Sequence, residues 1–152
     1  MAKRKQILTL SAESTVSLLG ISCHLKSYRL SFAMEQSLGF SFTRIDDFSP
    51  GAGDTADTFS YPFFVYKDAE LKNTFCLVGN HHPHRKLLPS LKQVDYFLMV
   101  HDPISKKLLE NILSGVRNIP QVIGAYLIEH SKTKGIAQLL EEMELHLLHM
   151  ED

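Results

Sequence analysis

The chain has no tryptophan, two cysteines, six prolines, eight glycines and no excess of one charge sign in its 152 residues. Each shortage excludes a class of protein. Cys23 and Cys76 lie far apart without a CxxC spacing, so they read as reduced, buried small apolar residues rather than a disulfide framework or a zinc ribbon. Glycine and proline are too sparse for a fibrous or low-complexity chain. With 16 Lys+Arg against 17 Asp+Glu, the net charge of -1 excludes the broad basic field that non-specific nucleic-acid binding requires. Nucleic acid is therefore not an expected partner, although Lys3-Arg4-Lys5 remains a local basic patch. No uninterrupted apolar run approaches the roughly 20 residues of a membrane span, so no membrane association is expected.

The basic start Met1-Ala2-Lys3-Arg4-Lys5 has the charge of a signal peptide's first region, but the apolar stretch after it is short and broken by Glu13. Leu19-Gly20-Ile21-Ser22-Cys23 departs from a lipoprotein cleavage box, because Ile-Ser precedes the cysteine where small residues belong. The expected location is cytoplasmic. The hydrophobic fraction of 44% and charged fraction of 22% are those of a globular domain, and the length suits one domain over residues 1–152.

Residues 5–10 and 16–22 are apolar enough for strands. A helix is expected from Ser27, as cap, to Gly39, as terminator, with Leu30, Ala33, Met34 and Leu38 as its apolar stripe. Alternation over Phe40–Ile45 predicts a strand, and the Asp, Ser, Pro, Gly and Thr of 46–58 predict a loop. Runs at 59–66 and 74–78 flank a polar turn and read as an antiparallel pair. Next come a strand at 94–100, a helix at 102–117 capped by Asp102 with Pro103 at its first position, and a strand at 122–128. A final helix, capped by Ser131, runs to about Met150 with Ile136, Leu139, Leu140, Met143 and Leu147 on one face. Leu145, Leu148 and Met150 lie off that stripe and are surplus to a one-sided helix.

The expected fold is α+β: a mostly antiparallel sheet with about three helices packed on one face, containing one βαβ unit (94–100, 102–117, 122–128). The passage Val116 to Tyr126 resembles the helix-to-strand step of ACT-type regulatory modules, which are ferredoxin-like.

Fragments of catalytic motifs occur, none complete. Gly20-Ile21-Ser22-Cys23-His24 starts like a nucleophile elbow but places His24 where a small residue is required. Ser131-Lys132-Thr133-Lys134-Gly135 overlaps two lactamase-type motifs that belong in separate parts of a much larger fold, and reads as a helix start. The loop His81-His82-Pro83-His84 is a local histidine bias. His81, His82 and His84 are the weak candidates for a metal, lacking a third ligand of recognisable spacing, and no cofactor is expected. His24, Lys26 and Arg29 gather at the start of the first helix, where free N–H groups and the helix dipole favour an anion. Against that stands a structural pairing of Arg29 with Asp95, which interrupts an apolar strand and needs a partner if buried.

Leu88-Pro89-Ser90-Leu91-Lys92-Gln93-Val94-Asp95-Tyr96 resembles the signature of the uncharacterised bacterial IPExxxVDY family. Leu19-Gly20-Ile21-Ser22 followed by Leu25, Tyr28, Arg29 and Leu30 agrees with it, as does the run Val94 to Leu98. Pro89, Val94, Asp95 and Tyr96 match, whereas Leu88 stands for the usual Ile and Ser90 for the usual Glu. The resemblance implies a bacterial, cytoplasmic α+β protein without naming a reaction. Loss of the Glu leaves structural roles for Pro89 and Asp95 intact and removes any catalytic role of that acid. The functional expectation is a non-enzymatic binding or interaction domain, a homodimer with a protein partner or a small anionic ligand. The alternative is a small metal-dependent enzyme or sensor built on the His81–His84 loop.

Overall fold

The structure, a computed structural model, describes residues 16–49, 60–70, 72–81, 87–88, 91–101, 103–129 and 135–151, with side chains to 148. Six strands and three helices are found among them: β1 Val16–Cys23, α1 Ser27–Leu38, β2 Thr43–Phe48, β3 Tyr61–Lys67, β4 Thr74–Gly79, β5 Tyr96–His101, α2 Lys106–Arg117, β6 Val122–Leu127 and α3 Ile136–Glu151. The strands form one sheet in the order β2-β3-β4-β5-β1-β6. Every neighbouring pair is antiparallel. Because β1 lies between β5 and β6 and opposes both, β5 and β6 run parallel, and α2 joins them in a split β-α-β unit. The fold is α+β, with the ferredoxin-like half that the sequence suggested.

The helices occupy both faces of the sheet, a correction to the one-faced arrangement expected from sequence. Leu18, Phe63, Cys76, Val78, Phe97 and Met99 join Ile136, Leu139, Leu140, Met143 and Leu147 of α3 in one core. Leu19, Ile21, Phe64, Leu77, Leu98 and Val100 join Leu30 and Met34 of α1 and Ile112 and Val116 of α2 in the other. The physical reason stands in β5, where Phe97, Leu98, Met99 and Val100 are all buried. Side chains alternate across a strand, so an unbroken apolar run needs cover on both sides.

Three boundaries move. Lys26, not Ser27, is the N-cap of α1, and it makes no side-chain cap hydrogen bond. α2 starts three residues beyond Pro103, capped by the Ser105 hydroxyl, which accepts from Leu108 N–H at 3.1 Å. Asn73 Nδ2 donates to the Pro103 carbonyl and holds that residue outside the helix. β2 occupies Thr43–Phe48 rather than Phe40–Ile45. Phe40 turns inward on Phe75 and Tyr66, at 4.5 and 5.0 Å between ring centroids, while Arg44, Asp46 and Asp47 are strand residues at a solvated edge. The strand expected at 5–10, the caps Asp102 and Ser131, and Met150's side chain lie outside the described residues. Both cysteines are buried free thiols.

Gly20, at the centre of β1, shows how closely the layers approach. A Cβ there would meet Val94 Cγ2 at 3.0 Å, Ile128 Cδ1 at 3.1 Å and the Tyr126 ring at 3.3 Å. Gly20→Ala is expected to destabilise by about 1–3 kcal/mol through overpacking, read from urea unfolding; an unchanged midpoint would mean that the three side chains yield freely.

Candidate functional site

The site begins at the turn from β1 into α1. Past the end of the β1–β5 ladder, Cys23 N–H lacks a strand partner, and the Asp95 Oδ2 carboxylate accepts from it at 2.7 Å. Asp95 Oδ1 bonds His81 Nε2, tying the end of β4 to the same point. Tyr96, the next residue, donates its hydroxyl to the Leu25 carbonyl, and Leu25 N–H reaches Cys23 Sγ at 3.4 Å. Two adjacent residues of the Val-Asp-Tyr motif therefore grip the Cys23–Leu25 turn from the sheet, and this sets where α1 starts. Val94 is buried in the α3-side core.

Asn80 supports this arrangement from below and has no sequence signature of its own. It is fully buried. Its Nδ2 donates to the Leu91 and Val94 carbonyls at 3.2 and 2.7 Å, and its Oδ1 accepts from Leu88 N–H at 2.7 Å. Its own N–H donates to the Asp95 carbonyl at 2.8 Å. An amide supplies two donors and an acceptor at one point, which suits closure of a loop whose backbone groups have no sheet partners.

Between α1 and the turn from α2 into β6 lies an open groove of about 800 Å³. Leu25, Ala33 and Ile119 provide apolar lining, and Arg29, Gln36, Asn118 and Gln121 provide polar groups. Tyr28 and Phe32 line it as well, and they are 59% and 62% exposed. They stand one helical turn apart, off the buried Leu30–Met34 stripe. Two aromatics outside the apolar stripe are the signal by which sequence alone would have located this face. The opposite wall, Asn118 to Gln121, is invisible to sequence because only the β5-α2-β6 crossover brings it beside α1.

Of the basic trio, Arg29 lines the groove, whereas His24 and Lys26 are exposed and lie outside its lining. The Arg29–Asp95 pairing does not form: Asp95 is engaged by Cys23 and His81, and no carboxylate among the described residues pairs with Arg29. The first turn of α1 carries no acidic residue and no side-chain cap, so its N–H groups and dipole add to the positive end of the groove.

His82, His84 and Pro89 fall outside the described residues, while His81 is described and meets Asp95. No group of three or more potential metal ligands occurs among the described residues. The nucleophile-elbow fragment lies within and just past strand β1, with Ser22 Oγ donating to the Gln93 carbonyl. Cys23 is the thiol nearest the His81–Asp95 pair. Burial pushes its pKa up, the Leu25 hydrogen bond opposes this, and the Asp95 charge raises it further, so the thiolate is disfavoured. No helix of the described residues is long and apolar enough to cross a membrane. No family model, curated protein or solved structure matches the chain.

Proposed function

We propose that this domain is a non-enzymatic binding module whose α1 groove takes a small amphipathic anion, an apolar or aromatic body ending in one carboxylate or phosphate. The observation that carries the reading is Arg29: an exposed guanidinium without a carboxylate partner among the described residues, in a groove lined by Tyr28 and Phe32. An apolar lining with a few convergent polar groups is the usual composition of a ligand site. Guanidinium geometry matches a carboxylate or phosphate through paired N–H groups. Aromatic faces hold a flat apolar body at little conformational cost. In this reading Asp95 and Tyr96 are positioning residues that fix the turn on which α1 and Arg29 are mounted. Those two residues also carry the resemblance to the IPExxxVDY family, and a binding role is compatible with Ser90 in place of that signature's Glu.

The probe is the anionic fluorophore 8-anilinonaphthalene-1-sulfonate, competed by decanoate. Saturable binding at native pH is expected, weakened about tenfold in Arg29→Gln, as follows from losing a hydrogen bond to a charged group worth about 1.5 kcal/mol. Phe32→Ser is expected to weaken binding comparably without moving the melting temperature, since Phe32 is exposed. Absence of saturable binding, or equal affinity in Arg29→Gln, would sink the proposal.

A further inference from the structure

The geometry points to a narrower ligand class for the α1 groove: the free carboxy terminus of a peptide. Its carboxylate lies on Arg29, and the amide of its third residue from the end lies between Gln36 and Asn118. The assignment rests on the binding role proposed above for the same groove.

The two walls of the groove run in opposite directions. α1 starts just beyond Cys23, and Cys23 pairs with Val122 at the start of β6. The Gln121 end of the second wall therefore lies beside the beginning of α1. At the other end, Ser37 Oγ donates to the Gly115 carbonyl at 2.9 Å. A Cβ on Gly115 would meet Leu38 Cδ2 at 2.3 Å, so the end of α1 rests against α2 there. Asn118, which follows on the next turn, accordingly stands towards the end of α1.

Polar groups are thus sorted along the groove. Arg29 is the only charged residue of its lining among the described residues, and it shares its end with Gln121. Gln36 lies seven residues further along α1, about 10 Å at 1.5 Å per residue, and lines the far end with Asn118. Between the two ends, Phe32, Ala33 and Ile119 make the lining apolar. The side chains of Gln36 and Asn118 are exposed and have no hydrogen-bond partner among the described residues.

That order selects among amphipathic anions. The far end offers no charge, so the ligand carries its one anionic group on Arg29 and a neutral group opposite. A fatty or aryl acid of this length would cover Gln36 and Asn118 without partnering them, and unpaired burial of amides costs affinity. A peptide unit presents a carbonyl and an N–H together, which matches side chains that both accept and donate. An extended chain advances about 3.3 Å per residue, so the third residue's amide stands about 10 Å from the carboxylate. Tyr28 and Phe32 flank Arg29 on α1 and give an aromatic last residue its cover.

Isothermal titration calorimetry of the unaltered protein compares three probes: acetyl-Ala-Ala-Phe as the free acid, the same peptide as its carboxamide, and 3-phenylpropanoate. The free acid is expected to bind at least about tenfold more tightly than either. The carboxamide lacks the charge that Arg29 pairs, and 3-phenylpropanoate lacks the amides. Arg29→Gln should erase the preference for acid over carboxamide. Gln36→Ala combined with Asn118→Ala should bring the free acid down towards 3-phenylpropanoate. Equal affinity for acid and carboxamide, or for acid and 3-phenylpropanoate, would overturn the assignment. With the fluorophore and decanoate still bound, either result would leave the groove's broader binding role standing. If no probe binds, both fall.

Discussion

Asn80→Ala lowers the unfolding free energy by about 3–5 kcal/mol, against the ~1 kcal/mol typical of a single substitution. The side chain joins three backbone groups, Leu88 N–H and the Leu91 and Val94 carbonyls, and is itself fully buried. Removing it takes the side-chain partner from Leu88 N–H and the Val94 carbonyl, at about 1–3 kcal/mol apiece, reduced where water enters the space, while the Leu91 carbonyl keeps its bond from Val94 N–H. Asn80→Asp keeps the acceptor for Leu88 but turns a carboxylate towards two carbonyls, so it is expected to destabilise comparably. Urea unfolding followed by circular dichroism measures both, and a loss below 1 kcal/mol in Asn80→Ala would show that the loop closes without it. Because Asp95 and Tyr96 follow this loop directly, the variant should also weaken fluorophore binding at the α1 groove while leaving Arg29 itself untouched.

Stability is expected to fall steeply on the alkaline side, from about pH 9 to pH 12. Burial pushes the Tyr96 hydroxyl from 10.0 up to about 12, with the charges of Cys23 and Asp95 adding to the shift. The Cys76 thiol is raised from 9.0 by burial, with Lys67 opposing weakly. In both groups the folded state retains a proton that the unfolded state releases first. Their contribution is therefore complete below the unfolded values and is lost as pH climbs towards the folded ones. Two units for Tyr96 correspond to about 3 kcal/mol at full effect, and Cys76 begins to act nearer pH 9. Guanidinium unfolding at a series of pH values tests this. Tyr96→Phe should flatten the slope between pH 10 and 12 while leaving the earlier decline, which Cys76→Val should reduce and the raised Cys23 thiol partly maintain. A pH-independent midpoint up to pH 12 would contradict the account. Ionisation of Tyr96 also ends its donation to the Leu25 carbonyl, so loosening of the α1 turn should accompany the loss.

Local pattern carried most of the fold. Alternation and apolar runs located β1, β3, β4, β5 and β6, and helical spacing located α1, α2 and α3, because these signals arise from one element's own burial. The boundaries that moved did so for tertiary reasons. The second half of β2 reads as loop because Asp46 and Asp47 belong to water, and a sheet edge allows a strand to keep its charges there. The α2 start was misplaced because Asp102-Pro103 is a good capping sequence, while Asn73, from the β3–β4 turn, holds the Pro103 carbonyl.

The candidate site was legible only in part. Sequence singled out Arg29, Asp95 and Tyr96 separately and paired the first two wrongly. Residues so far apart in the chain meet through strand order, which no local pattern encodes. It passed over Asn80, whose importance depends entirely on burial, and over Tyr28 and Phe32, whose exposure matters because a wall from 118–121 stands beside them.

What the sequence determined by itself was the class: an α+β fold without a disulfide framework or a broad basic field, as composition and periodicity require. Tertiary structure decided how the layers and edges are used. It divided the helices between two faces because β5 is apolar on both sides. It bound Asp95 and Tyr96 to the Cys23–Leu25 turn because β1 and β5 are neighbours in the sheet.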